Sequence, residues 1–488
     1  MIHDLRSLLA LSINISIIDN IDKIFSNLVQ PLEKIFFFSI GGIPLIILWL
    51  IGGGLFCTCR MGFINVRGFQ QAIDVISGKY DHPHGESEGE ISHFQALSTA
   101  LSGTVGLGNI AGVAIAIQVG GPGAVFWMTL TAFLGMSSKF VECTLGVKYR
   151  QINPDGTVSG GPMYYLSQGL SELGYPKLGK VFGVFFAIFC MAGRLTGGNM
   201  FQVNQSFAAL AAAVPLVQDF NWLFGLVAAT LVGSIIFGGL SRIAVVTSRL
   251  LPVIILAYAV ACLWVVANQF QEVPGAINLI LQQAFSPEAF TGGLAGAFVQ
   301  GVRRSAFSNG AGLGSAAIAH ATARTDEPVR EGIVSTLEPF IDTIVVCNLT
   351  ALVIVLTGTY GNLETINGSA ITSAAFAQVI DWFPPILAVM IFLFALSTTI
   401  GSSYLGERCW AYLLGEDNII AFKFIFLFCT FFGAIVNLNA VVDLSDMMLL
   451  AMSVPNLIAC IVLSPQVGKS LDDYLKRMKL DETVSQSN

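Results

Sequence analysis

Residues 100–112 read Ala100-Leu101-Ser102-Gly103-Thr104-Val105-Gly106-Leu107-Gly108-Asn109-Ile110-Ala111-Gly112. They lie inside an apolar run, 95–117, long enough to cross a hydrocarbon core of about 30 Å, which takes roughly 20 residues of helix. A glycine in a helix interior costs about 1 kcal/mol relative to alanine, and an asparagine at mid-membrane is costly unless it binds something. Small residues at one regular spacing serve close helix packing, but a consecutive Gly-Leu-Gly-Asn run goes beyond that and predicts an unwound segment. Unwinding frees backbone N–H groups on one half-helix and C=O groups on the other, a pair of poles suited to a zwitterion and a cation.

Outward from this stretch, the chain is apolar almost throughout. Its 488 residues are 54% hydrophobic and 11% charged, with a mean hydropathy of +0.73; soluble domains carry about 25% charged residues. Eleven apolar stretches centre near 39–57, 95–117, 122–146, 181–211, 222–239, 251–267, 289–302, 337–358, 385–405, 419–438 and 447–464. The reading is an all-α polytopic membrane protein of about eleven transmembrane helices. Lys and Arg crowd alternate loops (Arg60, Arg67, Lys79; Lys148, Arg150, Lys177, Lys180; Arg242, Arg249; Arg303, Arg304, Arg324, Arg330; Arg408; Lys469, Lys476, Arg477, Lys479), and none falls in the opposite loops after the first span. The positive-inside rule then sets the amino terminus outside and the carboxyl terminus in the cytoplasm. The expected organisation is an outside segment 1–38, an extra helix 39–57, a cytoplasmic loop 58–94, a first five-helix unit 95–267, an outside loop 268–288, a second five-helix unit 289–464 and a cytoplasmic tail 465–488. Because five is odd, the second unit enters from the opposite face, the arithmetic of an inverted repeat with its site near the midplane.

The second unit should break as well. Phe290-Thr291-Gly292-Gly293-Leu294-Ala295-Gly296 is the expected place. Gly312-Leu313-Gly314-Ser315 copies the first break more literally, but Arg303, Arg304, His320, Asp326 and Glu327 make 303–332 too polar to span, so 305–320 is expected in a cytoplasmic loop or re-entrant segment. Leu396-Ser397-Thr398-Thr399-Ile400-Gly401-Ser402-Ser403 sets five hydroxyls in one span. Oxygen donors without a carboxylate suit Na⁺ better than a divalent ion.

Other classes fare poorly. Net charge is −7 without a basic block, against nucleic acid. No G-x-x-x-x-G-K-[ST] is present, so no nucleotide is expected and energy must come from an ion gradient. The five histidines (3, 82, 84, 93, 320) fall in no confident span, against a membrane-embedded enzyme. The nine cysteines read as free thiols, and Asp81-His82-Pro83-His84-Gly85-Glu86 as a solvated loop. Lys139 and Glu142 should pair at i, i+3. Glu338 and Asp342 read as capping or pairing groups, with a proton relay as their rival role, and Arg194 as a snorkelling or paired group near the cytoplasmic helix end, with a gate or a part in proton coupling as its rival roles. A passive channel is the remaining rival.

The motifs resemble the alanine or glycine:cation symporter family, the sodium:alanine symporters. They are Gly120-Gly121-Pro122-Gly123-Ala124-Val125-Phe126-Trp127-Met128, with Thr129 where Trp is usual, Lys139-Phe140-Val141-Glu142-Cys143, Gly160-Gly161-Pro162-Met163-Tyr164-Tyr165, Phe307-Ser308-Asn309, Gly312-Leu313-Gly314-Ser315 and Leu337-Glu338-Pro339-Phe340-Ile341-Asp342. The resemblance implies the fold of the bacterial leucine transporter: a 5+5 inverted repeat with one extra amino-terminal helix, in a bacterial inner membrane. It implies sodium-coupled import of a small neutral amino acid, with no cofactor beyond the coupling ion Na⁺. Substrate would meet the N–H groups of Leu107 and Gly108 with its carboxylate and carbonyls near Ser102 and Gly103 with its ammonium; Gln202, Gly293, Gly296, Thr398 and Ser402 would complete the pocket. Sodium would take carbonyls of Ser102 and Val105 and hydroxyls of Ser397 and Thr398. Ser402 stands where Trp is frequent, enlarging the side-chain pocket toward glutamine or larger neutral amino acids; Gly310 replaces a usual Glu, and Ala317 a frequent Pro.

Overall fold

Ser92 starts the helix that carries the break: its Oγ accepts from the Gln95 N–H while the Gln95 side chain accepts from the Ser92 N–H, a reciprocal cap for two otherwise orphaned donors. In the computed structural model, which describes residues 38–80, 88–361, 368–436 and 438–487, that helix runs only from His93 to Ser102. A turn follows, then a wide π coil Gly108–Gly112 and a second helix Val113–Gly120. The expected segment 1–38 lies outside the described residues up to 37, as does the loop 81–86.

Among the described residues, seven helices are long and apolar enough to cross a membrane: Ala124–Lys148, Pro176–Ala213, Pro215–Ile236, Gly239–Asn268, Pro328–Thr357, Pro384–Leu414 and Val441–Met478. Two of them carry π coils, Thr196–Met200 and Phe340–Cys347, which interrupt the regular hydrogen-bond ladder. The shorter apolar helix Leu45–Arg60 packs on Ala124–Lys148 and on the long carboxyl-terminal helix. The only strands among the described residues form two short antiparallel hairpins, Ser39–Ile40 with Ile43–Pro44 and Gln151–Ile152 with Val158–Ser159.

The expected stretch does interrupt the helix, between Thr291 and Ala297, but a further interruption follows at 310–315. Gly293 belongs to a short 3₁₀ turn, Gly293–Ala295, and Gly296 caps the next helix. That helix, Ala297–Asn309, is buried almost throughout and ends at Gly310, φ 64°. Residues 310–315 turn through Gly312 (φ 81°) and Gly314 (φ 85°) before the one-turn helix Ala316–His320. Ser308 through Ala323 are all buried, which overturns the cytoplasmic-loop placement of 305–320 and leaves its re-entrant alternative. The reason is a charge partner far away in sequence. Arg303 and Arg304 both pair with Asp446, and Arg304 lies 5.2 Å from the centre of the Phe307 ring. Local hydropathy counts those two charges as exposed because it cannot register a carboxylate 142 residues on.

The outer ends of the two broken segments are joined. Ile91 forms a parallel bridge with Ala323, and Arg150 donates to the carbonyls of Ala321, Ala323, Glu88 and Thr325. Deeper in, Lys139 pairs with Glu338 at 2.9 Å rather than with Glu142, which accepts from Asn456 at 2.8 Å. A buried carboxylate on the neighbouring helix that needs a counter-charge takes the lysine from a same-helix partner already hydrogen-bonded. Glu338 also meets His320 Nε2 at 2.6 Å, and the other His320 nitrogen and His93 both meet Glu331. His320 is thus an interior residue, not a loop histidine.

Removing one member of a buried ion pair typically costs about 3–5 kcal/mol. Asp446→Ala leaves Arg304 without its hydrogen-bonded carboxylate, so the detergent-solubilised variant should melt well below the wild type; an unchanged melting temperature would show that the pair does not hold these helices together.

Candidate functional site

Where do the backbone groups of the first break go? Val105 N–H still reaches Leu101 O at 2.6 Å. The next two amides turn to side chains: Gly106 N–H donates to Asn109 Oδ1 at 2.8 Å and Leu107 N–H to Gln202 Oε1 at 2.9 Å. Among the carbonyls, Gly103 O accepts from Arg194 at 2.7 Å and Val105 O from Thr398 Oγ1 at 2.9 Å. An uncompensated polar group in a dry interior costs kilocalories, so these four side chains hold the unwound segment open. Asn109, the residue that marked the break, also donates to Asp342 O at 2.9 Å.

The two breaks abut. A Cβ on Gly108 would lie 3.2 Å from Ser308 Cα, so only a glycine lets the backbones approach this closely. Arg194 spans both breaks, its second terminal nitrogen donating to Ser315 Oγ. Asn456 donates to Gly312 O at 2.9 Å, and Ser308 and Thr343 donate to Asp342 Oδ1 at 2.6 and 2.8 Å.

Between them lies a narrow cleft with about 20 Å³ of free space. Of the residues predicted to bind substrate, Gly103, Gly108, Gln202 and Thr398 line it. Leu107 is fully buried and reaches the cleft through its bond to Gln202, while the Gln202 Nε2 group donates to Gly197 O at 2.9 Å. Ser402 stands one layer back, against Gly198, where an added Cβ would meet the Ser402 Cβ at 2.7 Å. Gly293 and Gly296 are away from the cleft, because the second break is the 310–315 turn. Sequence reasoning missed Arg194, Gly197, Phe307, Gly310 and Leu313 as lining residues. The signal for Leu313 was the literal repeat Gly312-Leu313-Gly314; polarity counting overruled it.

Of the predicted sodium ligands, Thr398 Oγ1 sits on the Val105 carbonyl. Ser397 Oγ is buried and without a hydrogen-bond partner, one turn before Gly401, whose added Cβ would meet Gly103 N at 2.6 Å. Ser102 Oγ donates to its own helix, to Thr99 O at 2.8 Å.

Comparison with known proteins follows the geometry. The profile of the sodium:alanine symporter family matches residues 23–488. The sodium/alanine symporter AgcS of Methanococcus maripaludis is 40% identical over 427 residues, 86% of this chain and 92% of that protein. A probable sodium/glutamine symporter, GlnT of Bacillus subtilis, is 34% identical, over 89% of this chain and 88% of its own. Among solved structures, MhsT in complex with L-phenylalanine superposes with a TM-score of 0.55 at 13% identity, covering 77% of this chain and 89% of that one; the likeness shows a shared leucine-transporter fold.

Gly106 is the tightest point of the cradle. A Cβ there would stand 2.8 Å from Gln202 Oε1 and 2.9 Å from Thr398 Cβ, and overpacking of this kind costs about 1–3 kcal/mol. Gly106→Ala should lower the melting temperature of the purified protein by several degrees; wild-type melting would mean that Gln202 and Thr398 are not held against the break.

Proposed function

The chain belongs to the sodium:alanine symporter family, so it is a membrane transporter and not an enzyme, and on that premise we propose that it imports a small neutral amino acid of the alanine and glycine class together with Na⁺. The observation that carries the reading is the pair of abutting breaks, whose backbone groups are held by side chains instead of helical partners. Substrate carboxylate takes the amides at Leu107 and Gly108, with Gln202 giving up its bond to Leu107. The ammonium turns to carbonyls beside Thr104 and Phe307, since Gly103 O already faces the Arg194 cation. Sodium takes the carbonyls of Ser102 and Val105 and the hydroxyls of Ser397 and Thr398, an all-oxygen set suited to a hard monovalent ion. Binding ties both breaks to the helix Pro384–Leu414, and the halves then rock to expose the site to the other face. The orientation follows the positive-inside count, with the amino terminus outside and the carboxyl terminus in the cytoplasm of a bacterial inner membrane.

A proton-coupled reading has one observation in its favour, the buried series His93, Glu331, His320, Glu338, Lys139. Na⁺ dependence of uptake at fixed pH separates the two.

Proteoliposomes should accumulate labelled alanine and glycine against their gradient when Na⁺ is high outside, and not when choline replaces Na⁺. Accumulation without Na⁺ that follows a pH gradient would favour the proton, and equilibration without accumulation a channel. Gln202→Ala should abolish uptake; unchanged uptake would remove that residue from the site. Thr398→Val keeps the shape and removes the hydroxyl, so half-maximal uptake should need roughly ten times more Na⁺, the equivalent of about 1.4 kcal/mol; an unchanged Na⁺ requirement would strike Thr398 from the ion's ligands.

A further inference from the structure

The helix Leu45–Arg60 ends on a charge, and the chain then turns through Gly62 and Phe63 into two short helices, Ile64–Arg67 and Phe69–Ile76. Among the described residues Phe63 is the one non-glycine residue in the left-handed region, at φ 56°. A bulky side chain strains the backbone there, where a glycine would be at ease, and the ring so placed is 51% exposed. It begins a stripe. Phe63, Val66, Arg67, Gln70 and Ile73 are exposed at helical spacing, whereas Ile64, Asn65, Gly68, Ala72 and Val75 are buried. The buried side is anchored: Asn65 donates to Phe133 O at 3.0 Å, the Phe69 and Phe340 rings meet edge-on with centres 4.8 Å apart, and Gln71 donates to the Tyr474 hydroxyl at 2.6 Å. The open side carries cations. Arg60 and Arg67 are exposed, and among the described residues neither pairs with a carboxylate; Arg67 donates to Gly62 O at 3.2 Å, and Arg60 leans on the carboxyl-terminal helix at Gly468, where an added Cβ would meet its Nη1 at 3.3 Å. Lys79, by contrast, is paired with Asp74 at 2.9 Å.

A stripe of large apolar side chains that follows on from the exposed Leu55 and Phe56, edged by two cations without counter-charges, fits the boundary between acyl chains and headgroups. We infer that Arg60, Phe63 and Arg67 form a site for an anionic phospholipid, on the face proposed above to be cytoplasmic. The guanidinium groups hold the phosphate, to which their planar forks are matched. The Phe63 ring lies with the acyl chains, the place aromatic side chains take at a membrane boundary, and that contact offsets the strain in its backbone. A zwitterionic headgroup fits less well, because it brings its own cation to the two arginines. Occupation of the site reaches the rest of the fold: Phe69–Ile76 packs on Pro328–Ser335, the helix that carries Glu331 of the buried ion-pair series, so a bound lipid stabilises the folded chain by mass action.

The test is thermal unfolding of the full chain in neutral detergent micelles, to which phosphatidylglycerol, phosphatidylcholine of the same acyl chains, or inorganic phosphate is added. Phosphatidylglycerol should raise the melting temperature by several degrees more than phosphatidylcholine does, and phosphate should leave it unchanged. The double variant Arg60→Gln with Arg67→Gln should lose at least half of that difference. Lys177→Gln with Lys180→Gln, which removes the same charge from another exposed stretch, should keep it. Phe63→Gly, which the left-handed turn accepts, should lose part of it as well. Each gain is read against the same variant in phosphatidylcholine, so a lower starting stability does not mask it. Equal gains from the two lipids, a gain reproduced by phosphate, equal losses in both double variants, or a full gain kept by the arginine or the glycine variant would each overturn the site. A melting temperature that rises with protein concentration in the absence of lipid would give this face to a second copy of the chain and overturn it too. None of these outcomes touches sodium-driven uptake, so the symport proposed above stands or falls separately.

Discussion

In hydrocarbon no water replaces a missing hydrogen bond, so a helix can unwind there only if the protein supplies a partner for each group it frees. That constraint organises this molecule. Asn109 and Gln202 take the freed amides of Gly106 and Leu107, and Arg194 and Thr398 take the carbonyls of Gly103 and Val105. The partners come from two other helices, Pro176–Ala213 and Pro384–Leu414, as well as from the broken one. The break therefore exists only in the folded bundle.

The first break could be read in the sequence because every clue is local: glycines where a helix loses stability, and an asparagine with nothing apolar to recommend it. The second could not, although its Gly312-Leu313-Gly314-Ser315 repeats the same letters. Arg303 and Arg304 made the stretch look aqueous, and their neutralisation by Asp446 is a tertiary fact. Lys139 illustrates the same limit. Spacing predicts Glu142 as its partner, and the fold supplies Glu338 from another helix. Periodicity and charge counts see one element at a time, so they misjudge any charge whose partner lies across the bundle.

The departures from the family pattern acquire physical content in the structure. Gly310, where a glutamate is usual, adopts φ 64° and lines the cleft, a backbone conformation that a residue with a side chain adopts at a cost. Ser402, where a tryptophan is frequent, packs directly against Gly198, and no larger side chain could keep that contact. Gly310 thus adds no side chain to the cleft, and Ser402 lies one layer behind it, against Gly198.

A structure determined with Na⁺ and a neutral amino acid bound tests the central claim most directly. The account predicts solute density between residues 103–108 and 307–313, its carboxylate on the amides of Leu107 and Gly108, with the Gln202 side chain moved off Leu107. Density elsewhere, with residues 103–108 closed into a continuous helix and Gln202 turned away from an empty space, would contradict it.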